Sequence, residues 1–221
     1  GSANSFGFGT ADDPGDETRE YSSARYGLGY MDTKRQAHEL VLDATETKGL
    51  PALVVAPTFM LGPYDTKPGS GRMILSVAHR EVPGYTLGGR CYIYVKDVAC
   101  GIANALTKGK TGESYIFGNE NLTYKDVFSI MAEVAGVKAP GLKVPPAVSL
   151  IAGAFGSFFG RILNKEPKIS LPMARISKDC HFYTAAKAVR ELELPQTPIV
   201  QAIEEAYRWF YDNGYIKAAA K

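Results

Sequence analysis

An α/β fold built on a parallel sheet is what this sequence predicts, and two adjoining stretches carry the prediction. From Tyr30 to about Lys48 the apolar residues Ala37, Leu40, Val41 and Ala44 recur at three- and four-residue spacing, the signature of a long amphipathic helix. Gly49 stands where a helix C-terminus favours a residue free to take positive φ. Directly afterwards, Ala52–Ala56 (ALVVA) is a short apolar run closed by Pro57, the pattern of a parallel strand buried on both faces. Helix followed by buried strand is the unit from which an α/β layer is made.

The other elements follow in order. Residues 1–29 are rich in Gly, Ser, Asp and Pro without periodicity and read as a loop. Thr58–Gly89 is irregular around a helix predicted over Gly71–Arg80, and Cys91–Val95 (CYIYV) reads as a second strand. Asp97 is placed to cap a helix running to about Leu106. Ser114–Phe117 is a third strand, and Thr123 with Asp126 three residues on resembles a capping box for a helix to Ala135. Ala147–Leu163, opened by Pro145 and Pro146, is nearly uncharged but short of the ~20 apolar residues of a membrane span. It is expected to be a buried or cleft-lining helix rather than a membrane contact. Thr184 caps a segment through Leu192. Ile199–Asn213 then gathers Ile199, Ala202, Ile203, Ala206, Trp209 and Phe210 on one face before Gly214.

Composition narrows the class. With 221 residues, 45% hydrophobic and 22% charged, the chain fits an ordinary globular protein with one sizeable core or two small ones. Its 25 basic and 23 acidic residues include no Lys/Arg stripe of the kind that tracks a phosphate backbone, so nucleic acid is not an expected partner. Cys91, Cys100 and Cys180 are odd in number and lack CxxC spacing, which suggests neither a disulfide framework nor a metal site and points to a reducing cytoplasm. No secretory signal is visible, so the Asn121-Leu122-Thr123 triplet is read as a chance match to a glycosylation acceptor.

For chemistry, Tyr30 and Lys34 in YMDTK stand four apart on the long helix and so share a face. The same spacing recurs at Tyr92/Lys96 and Tyr183/Lys187. Tyr92 and Lys96 straddle a strand and its exit, and Tyr183 precedes the cap of the helix holding Lys187, so only the first pair lies within one helix. His38, His79 and His181 form no paired arrangement and read as surface or packing residues. Gly7 and Gly9 neither follow a strand nor open a helix, unlike a phosphate loop. Arg72, Arg90 and Arg161 offer cations for a phosphate but read as solvated.

The setting of Tyr30 and Lys34 resembles that in the extended short-chain dehydrogenases/reductases, the NAD(P)-dependent epimerase/dehydratase group. SANSFG at Ser2–Gly7 is similar to the serine loop that precedes that family's Tyr-x-x-x-Lys helix. VVAPTFMLGPYD from Val54 resembles its strand and Pro-rich turn beside the nicotinamide. YIYVKDVACGIANAL from Tyr92 and GESYIFGNENLTYKDV from Gly112 resemble its following segments. The closing KAVRELELPQTPIVQAIEEAYRWFYDNGYI is similar to hopanoid-associated sugar epimerases and dihydroflavonol-reductase-like members.

The resemblance implies the C-terminal part of a Rossmann-like parallel sheet plus a small, mostly helical substrate-binding region. The sheet part with the catalytic helix would comprise 1–65 and 91–118, the substrate region 66–90 and 119–216, and 217–221 a frayed tail. It implies NAD or NADP as cofactor, with Tyr30 exchanging a proton with a substrate hydroxyl or carbonyl while hydride moves. A phenol titrates near ~10 in water, and an ammonium one helical turn away, joined by an oxidised nicotinamide, favours its phenolate. Lys34 would also hold the nicotinamide ribose, Ser2 orient the substrate oxygen, and Pro57 and Thr58 touch the cofactor. A sugar nucleotide or similar small molecule is the implied substrate. The family's glycine-rich fingerprint is not among these 221 residues, so the cofactor site is incomplete and the chain alone is expected to bind dinucleotide poorly and to be inactive. An unpaired sheet edge follows, to be covered by an N-terminal half or a homo-oligomer partner. A non-catalytic relative serving as sensor or assembly module is the alternative.

Overall fold

The computed structural model describes residues 1–163 and 170–216, with side chains described outside 158–163. The predicted tail at 217–221 lies outside the described residues. The elements are α1 (Gly29–Lys48), β1 (Val54–Pro57), β2 (Phe59–Leu61), α2 (Arg72–Ala78), β3 (Gly84–Tyr85), β4 (Gly89–Tyr94), α3 (Val95–Lys108), β5 (Ser114–Phe117), β6 (Glu120–Thr123) and α4 (Tyr124–Ala135). After them come β7 (Leu142–Lys143), α5 (Pro146–Leu163), α6 (Leu171–Ile176), β8 (Cys180–His181), α7 (Ala186–Leu192) and α8 (Ile199–Asp212).

The α/β architecture with parallel pairing is as predicted. β1 and β5 pair in parallel, Val54 with Ser114 through Pro57 with Phe117. Each strand then bends into a second sheet, β1 into β2 at Thr58 and β5 into β6 at Gly118–Asn119. There β4 is central: one edge pairs antiparallel with β6, while the other takes β8 at Arg90↔His181 and β2 at Tyr92↔Phe59. The bend is tight enough to need glycine, because a Cβ on Gly118 would stand 2.7 Å from Cys91 Sγ and 3.2 Å from Thr58 Cγ2. Among the described residues β1 and β5 pair only with each other, leaving an outer edge of each without a strand.

Two helical layers cover the sheets. α2, α4 and α8 pack Ile74, Val127, Met131, Ile199, Ile203 and Phe210 against Leu61, Tyr92 and Tyr94. On the other side α3 and α7 set Val98, Ala188 and Leu192 against Ile93, Tyr115 and Phe117. The α8 face matches the predicted periodicity, with Trp209 alone only half-buried. Thr123 caps α4 by accepting from Asp126 N at 3.2 Å, as its capping-box spacing predicts. Gly49 takes φ +64 and closes α1.

Several local expectations fail. Asp97 does not cap α3, which begins at Val95. It is buried in the first turn, where its carboxylate accepts from the Thr197 amide and hydroxyl, both at 2.8 Å, and so fixes the entry to α8. Thr184 lies one residue ahead of the α7 cap Ala185, though its hydroxyl accepts from Ala186 N at 3.3 Å. β1 is fully buried only at Val54 and Ala56, so it is not covered on both faces. The irregular 58–89 stretch contains β2 and β3. On α1 the predicted apolar stripe is not the buried face: Met31 and His38 are buried, while Leu40 is 68% exposed. The helix expected over Ala147–Leu163 does not bury its apolar side: α5 turns Val148, Ile151 and Phe155 outward, and the side chains of 158–163 lie outside the described residues. Asn121 is held as a structural cross-link, its amide accepting from Tyr183 N and donating to Tyr183 O.

Candidate active site

The C-terminal ends of parallel strands are where α/β sheets bind ligands, since the crossover loops splay apart there. At this end of β1 a cleft of about 930 Å³ opens, lined by Ser2, Tyr30, Pro57 and Thr58 among others. Thus four of the five sequence-predicted site residues meet on one cavity. Ser2 is buried at the N-cap of the short Ala3–Ser5 turn, its hydroxyl accepting from Asn4 N at 3.3 Å. Tyr30, in the first turn of α1, is 53% exposed toward the cleft. Lys34, the fifth, stands one turn on, its ammonium 5.7 Å from the Tyr30 ring centroid, and does not itself line the cavity.

The other two Tyr-x-x-x-Lys pairs are committed elsewhere. Burial pushes the Tyr92 phenol far above its ordinary range, and Lys96 pairs with Glu205 at 2.7 Å. Lys187 pairs with Glu113 at 2.6 Å and donates to Ser114 O at 2.8 Å. Pro57 ends β1 opposite Phe117, and the Thr58 amide is used by Phe117 O at 2.9 Å. The Thr58 hydroxyl is buried without a protein partner.

These residues suit the nicotinamide end of a dinucleotide. The nearby glycines do not suit its pyrophosphate, because Gly7 N already donates to Arg19 O and Gly9 N to Phe182 O.

Sequence reasoning missed the setting of Arg90. Arg90 is not a solvated cation: its Nε donates to the Tyr124 hydroxyl at 2.9 Å, its guanidinium lies 5.3 Å from the Phe59 ring centroid, and it lines the cleft. Among the described residues no carboxylate pairs with it. Arg72 is exposed at the start of α2 on the same cavity, whereas the Arg161 side chain lies outside the described residues. Nothing in spacing marks Arg90, which needed the register of β4 to be found. Around it the lining is apolar, with Met60, Met73, Phe128, Met173 and Ile176.

His181, registered opposite Arg90, is a buried packing residue, one of the two readings its sequence allowed. Its ring is tilted against that of Phe8 with centroids 4.1 Å apart, and neither ring nitrogen has a protein hydrogen-bond partner. Burial, then the Arg90 charge, pushes its pKa down to about 3 from 6.5. A histidine neutral in the folded state and titrating at 6.5 when unfolded contributes stability that is complete above pH 6.5 and lost as pH falls toward 3. His181→Phe is expected to reduce the pH dependence of stability between pH 6.5 and 4 by about 1 kcal/mol per pH unit, read by urea denaturation across that range. His38, also held low by burial, keeps a residual slope. Equal slopes in the two proteins would contradict this burial.

The fold and cleft define a parallel-sheet α/β protein with Ser2 and Tyr30 lining one cleft at the strand ends and Lys34 one helical turn beyond Tyr30. Residues 1–118 match the NAD dependent epimerase/dehydratase family, and the chain belongs to it. A protein of Synechocystis sp., named as a candidate dihydroflavonol 4-reductase, is 33% identical over 193 residues, covering 85% of this chain and 56% of that one. "Sterol demethylase protein B" of Methylococcus capsulatus is 28% identical, covering 86% of this chain and 58% of that protein. The chain therefore spans a little over half the length of these curated relatives. Among solved structures, that of gox2253 is 34% identical with a TM-score of 0.82, covering 98% of this chain and 66% of that one. PA4631, described as a nucleoside-diphosphate-sugar epimerase from Pseudomonas aeruginosa, is 27% identical with a TM-score of 0.81, covering 98% of this chain and 67% of that one.

Proposed function

We propose that this chain is the catalytic and substrate-binding part of an NAD(P)-dependent oxidoreductase or epimerase/dehydratase. It acts on a hydroxyl or carbonyl of a sugar nucleotide or similar small molecule. The observation that carries this reading is the convergence of Ser2, Tyr30, Pro57, Thr58 and Arg90 on one cleft.

NAD or NADP, when bound, supplies or accepts the hydride. Tyr30 gives or takes the proton at the substrate oxygen, since its hydroxyl is the titratable group of α1 that reaches the cleft. Lys34, one turn behind, places a positive charge beside that phenol and holds the ribose. Ser2 donates to the same substrate oxygen and orients it. Pro57 and Thr58 border the nicotinamide. Arg90, with no carboxylate partner among the described residues, binds an anionic or carbonyl-bearing part of the substrate, and the methionines and Phe128 of the cleft accept its apolar part. In this reading residues 1–65 and 91–118 serve the cofactor, and 66–90 and 119–216 serve the substrate.

An upstream segment of the relatives' length, or a second copy of the chain, covers the free edge beside β1 and the exposed stripe at Leu40. Titration with NAD(P)H tests this assignment. The 221-residue chain is expected to bind weakly, and a chain extended upstream to its relatives' length to bind at least about a hundredfold more tightly, because helix N-terminal amides hold the pyrophosphate. Equal affinity would show that the dinucleotide is held by these residues alone.

A further inference from the structure

We infer that α5 is a docking surface for the anionic face of a lipid bilayer, lying along it without crossing it. The first observation is an inversion of ordinary helix packing. α5 packs against α6 through small residues: a Cβ on Gly153 would come within 2.8 Å of Ala174 Cβ, and the Ser157 hydroxyl accepts from Leu171 N at 2.8 Å. Its large apolar residues point the other way, Val148, Ile151 and Phe155 being 54%, 58% and 61% exposed at spacings of three and four. Ala147, Ala152 and Ala154 extend the exposed strip. A helix that folds only against its own protein turns the opposite face inward.

The second observation is charge. Between Val137 and Lys178 the sequence holds seven basic residues and one acidic residue, Glu166, a net of +6, while the rest of the chain carries −4. The near-neutral total conceals this segregation. From Pro146 to Gly160 the helix has no charged residue at all. Lys138 and Lys143 precede it, Arg175 and Lys178 follow on and after α6, and all four are exposed.

An apolar strip flanked by cations matches a bilayer surface, whose acyl boundary takes the strip while anionic headgroups face the lysines and arginines. A protein partner burying Val148, Ile151 and Phe155 needs no such excess of one sign. No helix among the described residues is long and apolar enough to cross a membrane, which is consistent with an in-plane orientation. Because α6 lines the cleft with Met173 and Ile176, a docked α5 puts the headgroups about one helix layer, ~10 Å, from that wall.

Vesicle co-sedimentation of the 221-residue chain tests the assignment. With vesicles of equal parts phosphatidylcholine and phosphatidylglycerol the chain is expected to partition about tenfold more strongly than with phosphatidylcholine alone, and raising NaCl from about 0.05 to 0.5 M should remove the difference. Ile151→Asp/Phe155→Asp should lower partitioning at least about tenfold with an unchanged melting midpoint, since both side chains are exposed. Should that variant not fold, Lys138→Glu/Lys143→Glu/Lys178→Glu supplies the same comparison through charge alone. Absence of sedimentation with anionic vesicles overturns the proposal, as does partitioning unaffected by folded variants of either kind. A wild-type chain that is dimeric by sedimentation velocity, made monomeric by the aspartates and indifferent to vesicles, would assign the strip to a second copy instead.

Discussion

Phe210→Ala is expected to destabilise the chain by about 3–5 kcal/mol, the usual cost of deleting a fully buried aromatic ring. Phe210 is 0% exposed near the end of α8, edge-on to Trp209 and Tyr215 at 5.4 Å each, and its ring abuts the backbone at Gly71 so closely that a Cβ there would stand 2.5 Å away. Gly71, the N-cap of α2, rests directly on this ring. The effect therefore reaches the cleft, because α2 supplies Arg72, Met73 and Ser76 to its wall. Urea denaturation reads the stability change, with the slope against denaturant unchanged if the native fold persists. A loss below about 1 kcal/mol would mean that α8 does not anchor this wall.

How much of this was legible beforehand differs element by element. The helices α4 and α8 announce themselves because one face meets the core and the periodicity records it. In α1 and α5 the apolar residues have the same spacing, yet they face outward here, because periodicity names a face without naming what covers it. β3, β7 and β8 are two residues each, too short for alternation to register. Asp97 shows the limit of local rules: its position suits a cap, and a hydrogen-bonding loop a hundred residues away claims it instead.

The site divides in the same way. Ser2, Tyr30, Lys34, Pro57 and Thr58 were readable because they sit in contiguous motifs whose order resembles a family pattern. Arg90 and His181 were not, since they meet only through the parallel register of β4 and β8. The choice among the three Tyr-x-x-x-Lys pairs was already open to the sequence, since only Tyr30 and Lys34 lie within one helix, and the structure adds the burial of Tyr92 and the ion pairs of Lys96 and Lys187.

The larger functional effect is expected at Tyr30. Removing its hydroxyl in Tyr30→Phe leaves the ring, its exposure and the Lys34 contact in place, so neither folding nor occupancy of the cleft should change much. On the proposed role, what is lost is the proton exchanged with the substrate oxygen, and general acid–base groups contribute about 10²–10⁴-fold to rate. The decisive measurement is turnover of wild type and Tyr30→Phe in the chain extended upstream to its relatives' length, with cofactor and substrate affinities determined on the same samples. A kcat lowered by about 10²–10⁴-fold at near-equal affinities is the predicted result. An unaltered kcat would contradict the assignment of proton transfer to Tyr30.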